Sequence, residues 1–155
     1  MTVPPVPYTL RPSQPEDMDF RFALHRSTMR GYVERMWGWD DDDQKTRFAE
    51  YYPTAARRII VVAGADVGAL VIDYRPDAVF VVNIEILSAF QGRGLGARIL
   101  NDIITRAQDD GVPVELQVLK INPARRLYER LGFQVTGETE THYLMRRSII
   151  TPEGC

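Results

Sequence analysis

The sequence predicts an α/β (α+β) domain built on a mixed, mostly antiparallel central sheet of about seven strands, with about four helices. Two stretches carry this expectation. From Arg58 onward three apolar runs, IIVVAG, DVGALVIDYRP and AVFVVNIEIL, follow one another across the short segments Gly64-Ala65-Asp66 and Arg75-Pro76-Asp77, the pattern of an antiparallel meander. The stretch NIEILSAFQGRGLGARILN (Asn83 to Asn101) then passes from the end of the last strand through three glycines, Gly92, Gly94 and Gly96, into helical periodicity. The strand after that helix, Val114 to Leu119, must lie parallel to the one ending at Ile86, because a helical crossover joins them.

The remaining elements follow in order. Residues 1–7 hold three prolines and read as a loose arm, and Tyr8 to Arg11 as a short edge strand ended by Pro12. Ser13 to Met36 reads as a helix. Pro15, Glu16 and Asp17 suit its first turn, Phe20, Ala23, Leu24 and Ser27 recur at helical spacing, and Gly31 marks a place for a bend or break. MWGWDDDDQKTRF leads into a second helix containing Phe48, Tyr51 and Tyr52, closed by Pro53. In the helix after the glycines, Leu95, Ile99, Leu100, Ile103, Ile104 and Ala107 share one face, with Arg98, Asp102, Arg106 and Asp109 opposite. Gly111 stops it and Pro113 prevents continuation. Asn122-Pro123 starts a last helix through Ala124, Leu127, Tyr128 and Leu131, capped by Gly132. Phe133 to Thr139 and Thr141 to Arg147 complete the sheet.

Composition bounds the function. The 155 residues suit a single domain, 1–155, able to bury roughly 68–70% of its unfolded surface. A net charge of 19 − 21 = −2 gives no general attraction to nucleic acid or to an anionic membrane. Cys155 is the only cysteine, so no disulfide, cysteine metal site or thiol nucleophile is expected. The N-terminal stretch has no basic region followed by a long apolar one, and a cytoplasmic protein is expected.

The strand, glycine turn and helix together make an anion site. Glycine lets backbone approach a ligand closely, and a helix start presents unpaired N–H groups and the positive end of its dipole. Gly92, Gly94 and Ala97 also satisfy G-x-G-x-x-A, a dinucleotide fingerprint. Its context is wrong, because Leu87 to Gln91 separate Ile86 from Gly92, and no acidic residue about 20 positions on ends a following strand.

Gln91-Gly92-Arg93-Gly94-Leu95-Gly96 matches Gln/Arg-x-x-Gly-x-Gly/Ala, and with KINPARRLYERLGF (Lys120 to Phe133) the sequence resembles the GNAT superfamily of acetyl-CoA-dependent N-acetyltransferases. The match in element order runs from Tyr8 to Arg147. The resemblance implies a GNAT-like sheet whose two parallel strands splay at the CoA site. Backbone at Ile84, Ile86 and Leu87 would pair with the pantetheine arm, and N–H groups of Gln91 to Gly96 would hold the pyrophosphate, with Arg93 facing phosphate. Asn122, Arg125 and Tyr128 belong to the second cofactor element. One residue, Pro123, separates Asn122 from Ala124 where family members commonly have two, so Asn122 is either a cofactor contact or only a helix cap. The cofactor implied is acetyl-CoA (CoA), with no metal. Between 84 and 130 seven basic and six acidic residues leave 7 − 6 = +1, too little to count as evidence.

Acyl transfer from a thioester to an amine needs an uncharged amine, a polarised carbonyl and a proton for the leaving thiolate. By resemblance Tyr128 is the general acid, against the plainer reading of an aromatic packed beside Leu127 and Leu131. A backbone N–H near Ile86 or Leu87 would polarise the carbonyl. Glu85 is the base candidate, against a solvated or ion-paired glutamate. Gln117 occupies the position of a glutamate used by some relatives; His142, and more weakly His25, are further options. Trp37, Trp39 and Asp40, with His142, are the expected acceptor-binding residues, unless the tryptophans are core and the aspartates a solvated helix start. The expected partners are a small-molecule or peptide amine and, through self-association, a homodimer. The function implied is N-acetyltransfer to a primary amine by direct transfer in a ternary complex; the alternative is a non-catalytic acyl-CoA-binding sensor or interaction module.

Overall fold

A computed structural model describes residues 7–36 and 56–150. The strands are β1 (Thr9–Pro12), β2 (Ala56–Val62), β3 (Ala65–Tyr74), β4 (Val79–Ile86), β5 (Val114–Leu119), β6 (Gln134–Glu138) and β7 (His142–Arg147). Three α-helices lie among the described residues: α1 (Met18–Met36), α2 (Leu95–Asp110) and α3 (Arg125–Arg130). The helix expected around Phe48, Tyr51 and Tyr52, and the acceptor-binding candidates Trp37, Trp39 and Asp40, lie outside the described residues. The strands form one sheet of seven in the order β1-β2-β3-β4-β5-β7-β6, mostly antiparallel with β4 and β5 parallel.

The chain forms two compact units, Met1–Asp73 with Val82–Gly96, and Tyr74–Val81 with Ala97–Cys155. In the first unit, β2 and β3 join through Ala63 and Gly64 alone, both at positive φ (52° and 82°). That pair of left-handed residues matches the twist of the strands, so the connection is two residues long. Ala65 and Asp66, expected in the turn, already belong to β3. Register then slips: Ile60 faces Gly68 and Val61 faces Asp66, so Val67 is an extra residue on β3, a bulge. Arg11 of β1 reaches Asp17 with both guanidinium nitrogens at 2.8 Å and Asp66 at 2.9 Å. The Asp17 carboxyl is held down to about 2, chiefly by Arg11 and then by the Gln14 N–H.

Helix α1 departs from the expected pattern in two ways. It runs through Gly31 without a break, and Pro15–Asp17 form a separate 3-10 turn ahead of it. Among its described side chains Arg21, Phe22 and Leu24 are buried, while Ala23 and Ser27, two of the four residues read at helical spacing, are exposed. Arg21, His25 and Thr28 succeed one another at four- and three-residue steps. This side of α1 is polar because, at His25 and Thr28, it faces a carboxylate, so apolar periodicity misplaced it.

In the second unit, Val79, Phe80 and Val81 pair in parallel with Val114, Glu115 and Leu116. Helix α2 keeps the expected bounds and buries Ile99, Leu100 and Ala107. β7 pairs on one side with β5 and on the other with β6. Gly132, at φ +96°, ends α3; a Cβ there would lie 2.5 Å from Nε of Arg147, whose Nε donates to the carbonyl of Leu131 at 3.0 Å.

Candidate active site

The first unit carries the glycine turn. After β4, Ser88–Phe90 make one 3-10 turn, and α2 starts at Leu95, which is buried. Gly92 and Gly94 have φ of +77° and +78°, and a Cβ built on either meets nothing within 4 Å. Glycine is therefore required by backbone conformation, and the space before the helix start is open. Gly96 has ordinary backbone; a Cβ on it would come 3.5 Å from Cδ1 of Ile86. The turn is tied to β4 by Gln91, whose Nε2 donates to the carbonyl of Ile86 at 2.8 Å. The N–H groups of the first turn of α2 have no intrahelical acceptor, which makes this end a seat for a phosphate.

Two expected donors are already engaged. The N–H of Leu87 donates to the carbonyl of Val67 at 2.8 Å, and that of Gln91 to Ser88 at 3.2 Å. Neither N–H is available to a thioester carbonyl or a pyrophosphate in this arrangement. Arg93 lies over the ring of Phe90, 5.6 Å from its centroid. Ile84 and Ile86 are half-buried on the opposite side of β4 from Glu85.

Glu85 is not the solvated glutamate of the plainer reading: it is 4% exposed. One carboxylate oxygen accepts from the Thr28 hydroxyl and the other from the amide of Asn83. Nδ1 of His25 lies 3.4 Å from Oε1 and 3.3 Å from Oε2. Arg21 is within electrostatic reach; burial first, then Arg57, lower its pKa, while Glu85 and Asp17 raise it. Behind this cluster β3 comes unusually close. A Cβ on Gly68 would sit 2.5 Å from the carbonyl oxygen of Glu85, so only glycine fits beside the bulge at Val67. Thr28, Asn83 and Gly68 were not identified from sequence. Gly68 stood in an apolar strand run, where an isolated glycine signals a bulge or close approach.

The second unit carries the other candidates. Tyr128 is half-buried, its ring edge-on to Phe133 with centroids 6.0 Å apart at 63°. Burial raises its pKa, so the phenol keeps its proton throughout the neutral range. Asn122 accepts from the N–H of Ala124 at 2.9 Å, a turn ahead of α3; the N-cap is Ala124 itself, with no side-chain cap bond, so the helix starts at Arg125 and not at the expected Pro123. Arg125 is held at 2.5 Å by Glu129 and lies 4.3 Å from the centroid of Tyr143, so its charge is largely committed within the unit. Arg126 and Arg130, with Pro123, Leu127 and Glu129, line an open hollow of about 640 Å³. His142 contacts Thr141 Oγ1 at 2.7 Å, and burial lowers its pKa, favouring the neutral imidazole. Gln117 is exposed on β5.

The comparisons with known proteins agree with these features. The sequence model of the Acetyltransferase (GNAT) family matches residues 14–133. The [ribosomal protein bS18]-alanine N-acetyltransferase of Haemophilus influenzae is 35% identical over 68 residues, 43% of this chain and 47% of that protein. The chain thus matches about half the length of that curated relative. Among solved structures, PaiA N-acetyltransferase from Thermoplasma acidophilum in complex with coenzyme A superposes with a TM-score of 0.73 at 11% identity, covering 92% of this chain and 99% of that one. The ribosomal-protein-S18-alanine N-acetyltransferase from Escherichia coli gives 0.62 at 19%, covering 96% and 99%. The chain belongs to the GNAT acetyltransferase family.

Proposed function

We propose that this protein is an acetyl-CoA-dependent N-acetyltransferase that moves an acetyl group to a primary amine by direct transfer. The observation that carries the reading is the glycine turn: two left-handed glycines with open space before them, tied by Gln91 to the end of β4 and leading into the start of α2. This is a cradle for a pyrophosphate, and the coenzyme A complex of the Thermoplasma structure supports the identity of the ligand. Acetyl-CoA supplies the activated thioester. The first turn of α2 holds its phosphates, the N–H of Ile86 orients the acyl group, and the half-buried, protonated Tyr128 gives its proton to the departing sulfur. The acceptor of the Haemophilus relative, an alanine of a ribosomal protein, supports an amine acceptor and leaves a small molecule or a peptide equally open.

A specific observation favours the sensor alternative. Gln117 takes no proton, and Glu85 already accepts from Thr28 and Asn83 and lies against His25. A thermal shift with acetyl-CoA, CoA, NAD and ATP, followed by an assay of CoA release with amines, tests both. Ligand at about 100 times its dissociation constant adds roughly 2.7 kcal/mol, several degrees for a domain of this size. Stabilisation by the CoA compounds alone, with amine-dependent release, is expected. Stabilisation without release selects the sensor, and stabilisation by NAD alone removes both readings.

A further inference from the structure

We propose that the hollow beside α3 is a docking site for an acidic stretch of polypeptide, which makes the acceptor a protein or peptide rather than a small amine. The inference rests on the N-acetyltransferase reading above. It starts from a departure in the chain's own charge pattern. Arg30 and Glu34, Arg98 and Asp102, and Arg125 and Glu129 each set an arginine against an acid four residues on, at 2.7, 3.5 and 2.5 Å. Arg126 and Arg130 set two arginines at that spacing, both exposed, and neither has a carboxylate partner among the described residues. Like charges at this spacing destabilise a helix, and a carboxylate laid between them removes that cost.

The surroundings select the kind of anion. Glu129, the acid in the lining, is already held by Arg125, so the arginine pair is the uncompensated charge of the hollow. Half-buried Leu127 and exposed Pro123 give it an apolar part, and about 640 Å³ is far more than one small ion fills. A peptide with an acidic side chain beside an apolar one meets both, since guanidinium groups hold carboxylates by paired hydrogen bonds. The net charge of −2 works against a long nucleic-acid polyanion. Tyr128 is two residues from each arginine, about 200° round the helix axis, and its ring lies against Phe133. The docking site is therefore on the opposite side of α3 from the proton donor. With a helix about 10–12 Å across and at most about 3.6 Å of extended chain per residue, passing from one side to the other takes about five residues or more. A small amine is too short to use both sides; a peptide with acidic residues beyond its first few positions spans them.

The test uses the full chain, acetyl-CoA and two fluorescent alanine-terminated peptides of about fourteen residues, alike except that beyond the first few positions one carries glutamates and the other glutamines. KM and kcat for CoA release are measured with each, and peptide binding by anisotropy. The wild type is expected to show a KM about 10-fold lower for the glutamate peptide at similar kcat, a difference that high salt erases. Arg126→Gln combined with Arg130→Gln should remove the difference through KM, leaving kcat, turnover of the glutamine peptide and the acetyl-CoA thermal shift in place. Arg126→Lys combined with Arg130→Lys keeps the charge and should keep most of the preference. Equal KM for the two peptides in the wild type, or an equal loss for both in the Arg126→Gln, Arg130→Gln protein, overturns the proposal alone. So does turnover of small amines but of neither peptide, or displacement of the glutamate peptide by an RNA oligonucleotide at lower concentration than by unlabelled peptide. Loss of the acetyl-CoA shift in that double variant, with the dephospho-CoA shift unmoved, makes the hollow a cofactor phosphate site and overturns it as well. No CoA release by the wild type with any amine overturns the enzyme reading and the proposal with it.

Discussion

The Nε2 of Gln91 donates to the main-chain carbonyl of Ile86 at 2.8 Å, so one side chain joins the end of β4 to the turn in front of α2. The bond is exposed, and its main effect is on where the glycine N–H groups point. Gln91→Ala is expected to cost only about 0.5–1.5 kcal/mol in a urea melt. Its effect on coenzyme A affinity by calorimetry should be several-fold, because the turn loses its tether. Equal losses in stability and affinity would show that the bond merely stabilises the fold.

Three glycine-to-alanine variants should separate conformational strain from steric exclusion. At Gly94 the space is open and φ is +78°, so the cost is that of a left-handed alanine, about 1–2 kcal/mol. At Gly68 the new methyl would meet the Glu85 carbonyl oxygen at 2.5 Å, main chain that must shift. Overpacking of that kind costs about 1–3 kcal/mol and should also disturb the Glu85 cluster. At Gly132 strain and the Arg147 side chain act together, and the largest loss is expected. Denaturation midpoints in the order Gly94→Ala, Gly68→Ala, Gly132→Ala, highest to lowest, would agree.

Tyr128→Phe keeps the ring edge-on to Phe133 and removes only the hydroxyl. Turnover should fall by about 100-fold or more while coenzyme A affinity holds. Because burial raises the phenol pKa above the ordinary 10.0, the alkaline limb attributable to Tyr128 should lie beyond that value and vanish in the variant. An unchanged kcat would remove Tyr128 from the proton path.

His142 gives the fold a predictable acid sensitivity. Burial lowers its pKa below 6.5, so the unfolded chain binds a proton there at higher pH than the folded one does. The linked stability is complete above about 6.5 and is lost as pH falls from there to the folded value. His142→Asn should flatten this part of a stability-against-pH curve measured by urea melts. Persistence of the same slope in the variant would place the effect elsewhere.

Much of this architecture was legible in sequence because it is written in contiguous residues. The bounds of β5 and α2 follow from apolar periodicity and from Gly111 and Pro113. The left-handed turn follows from glycines at 92 and 94, and the αL stop after α3 from Gly132. The family resemblance rests on the same local runs, since a phosphate cradle is built from consecutive N–H groups. The face of α1 was misjudged for the opposite reason: Arg21 is buried and Ala23 exposed, and hydropathy assigns them the other way. What surrounds Glu85 was decided by tertiary structure alone. His25 and Thr28 lie 60 and 57 positions from it in the chain, and Gly68 matters only because another strand's carbonyl passes beside it. Local pattern encodes dihedral preference and which face is apolar; long-range packing determines which polar groups meet inside.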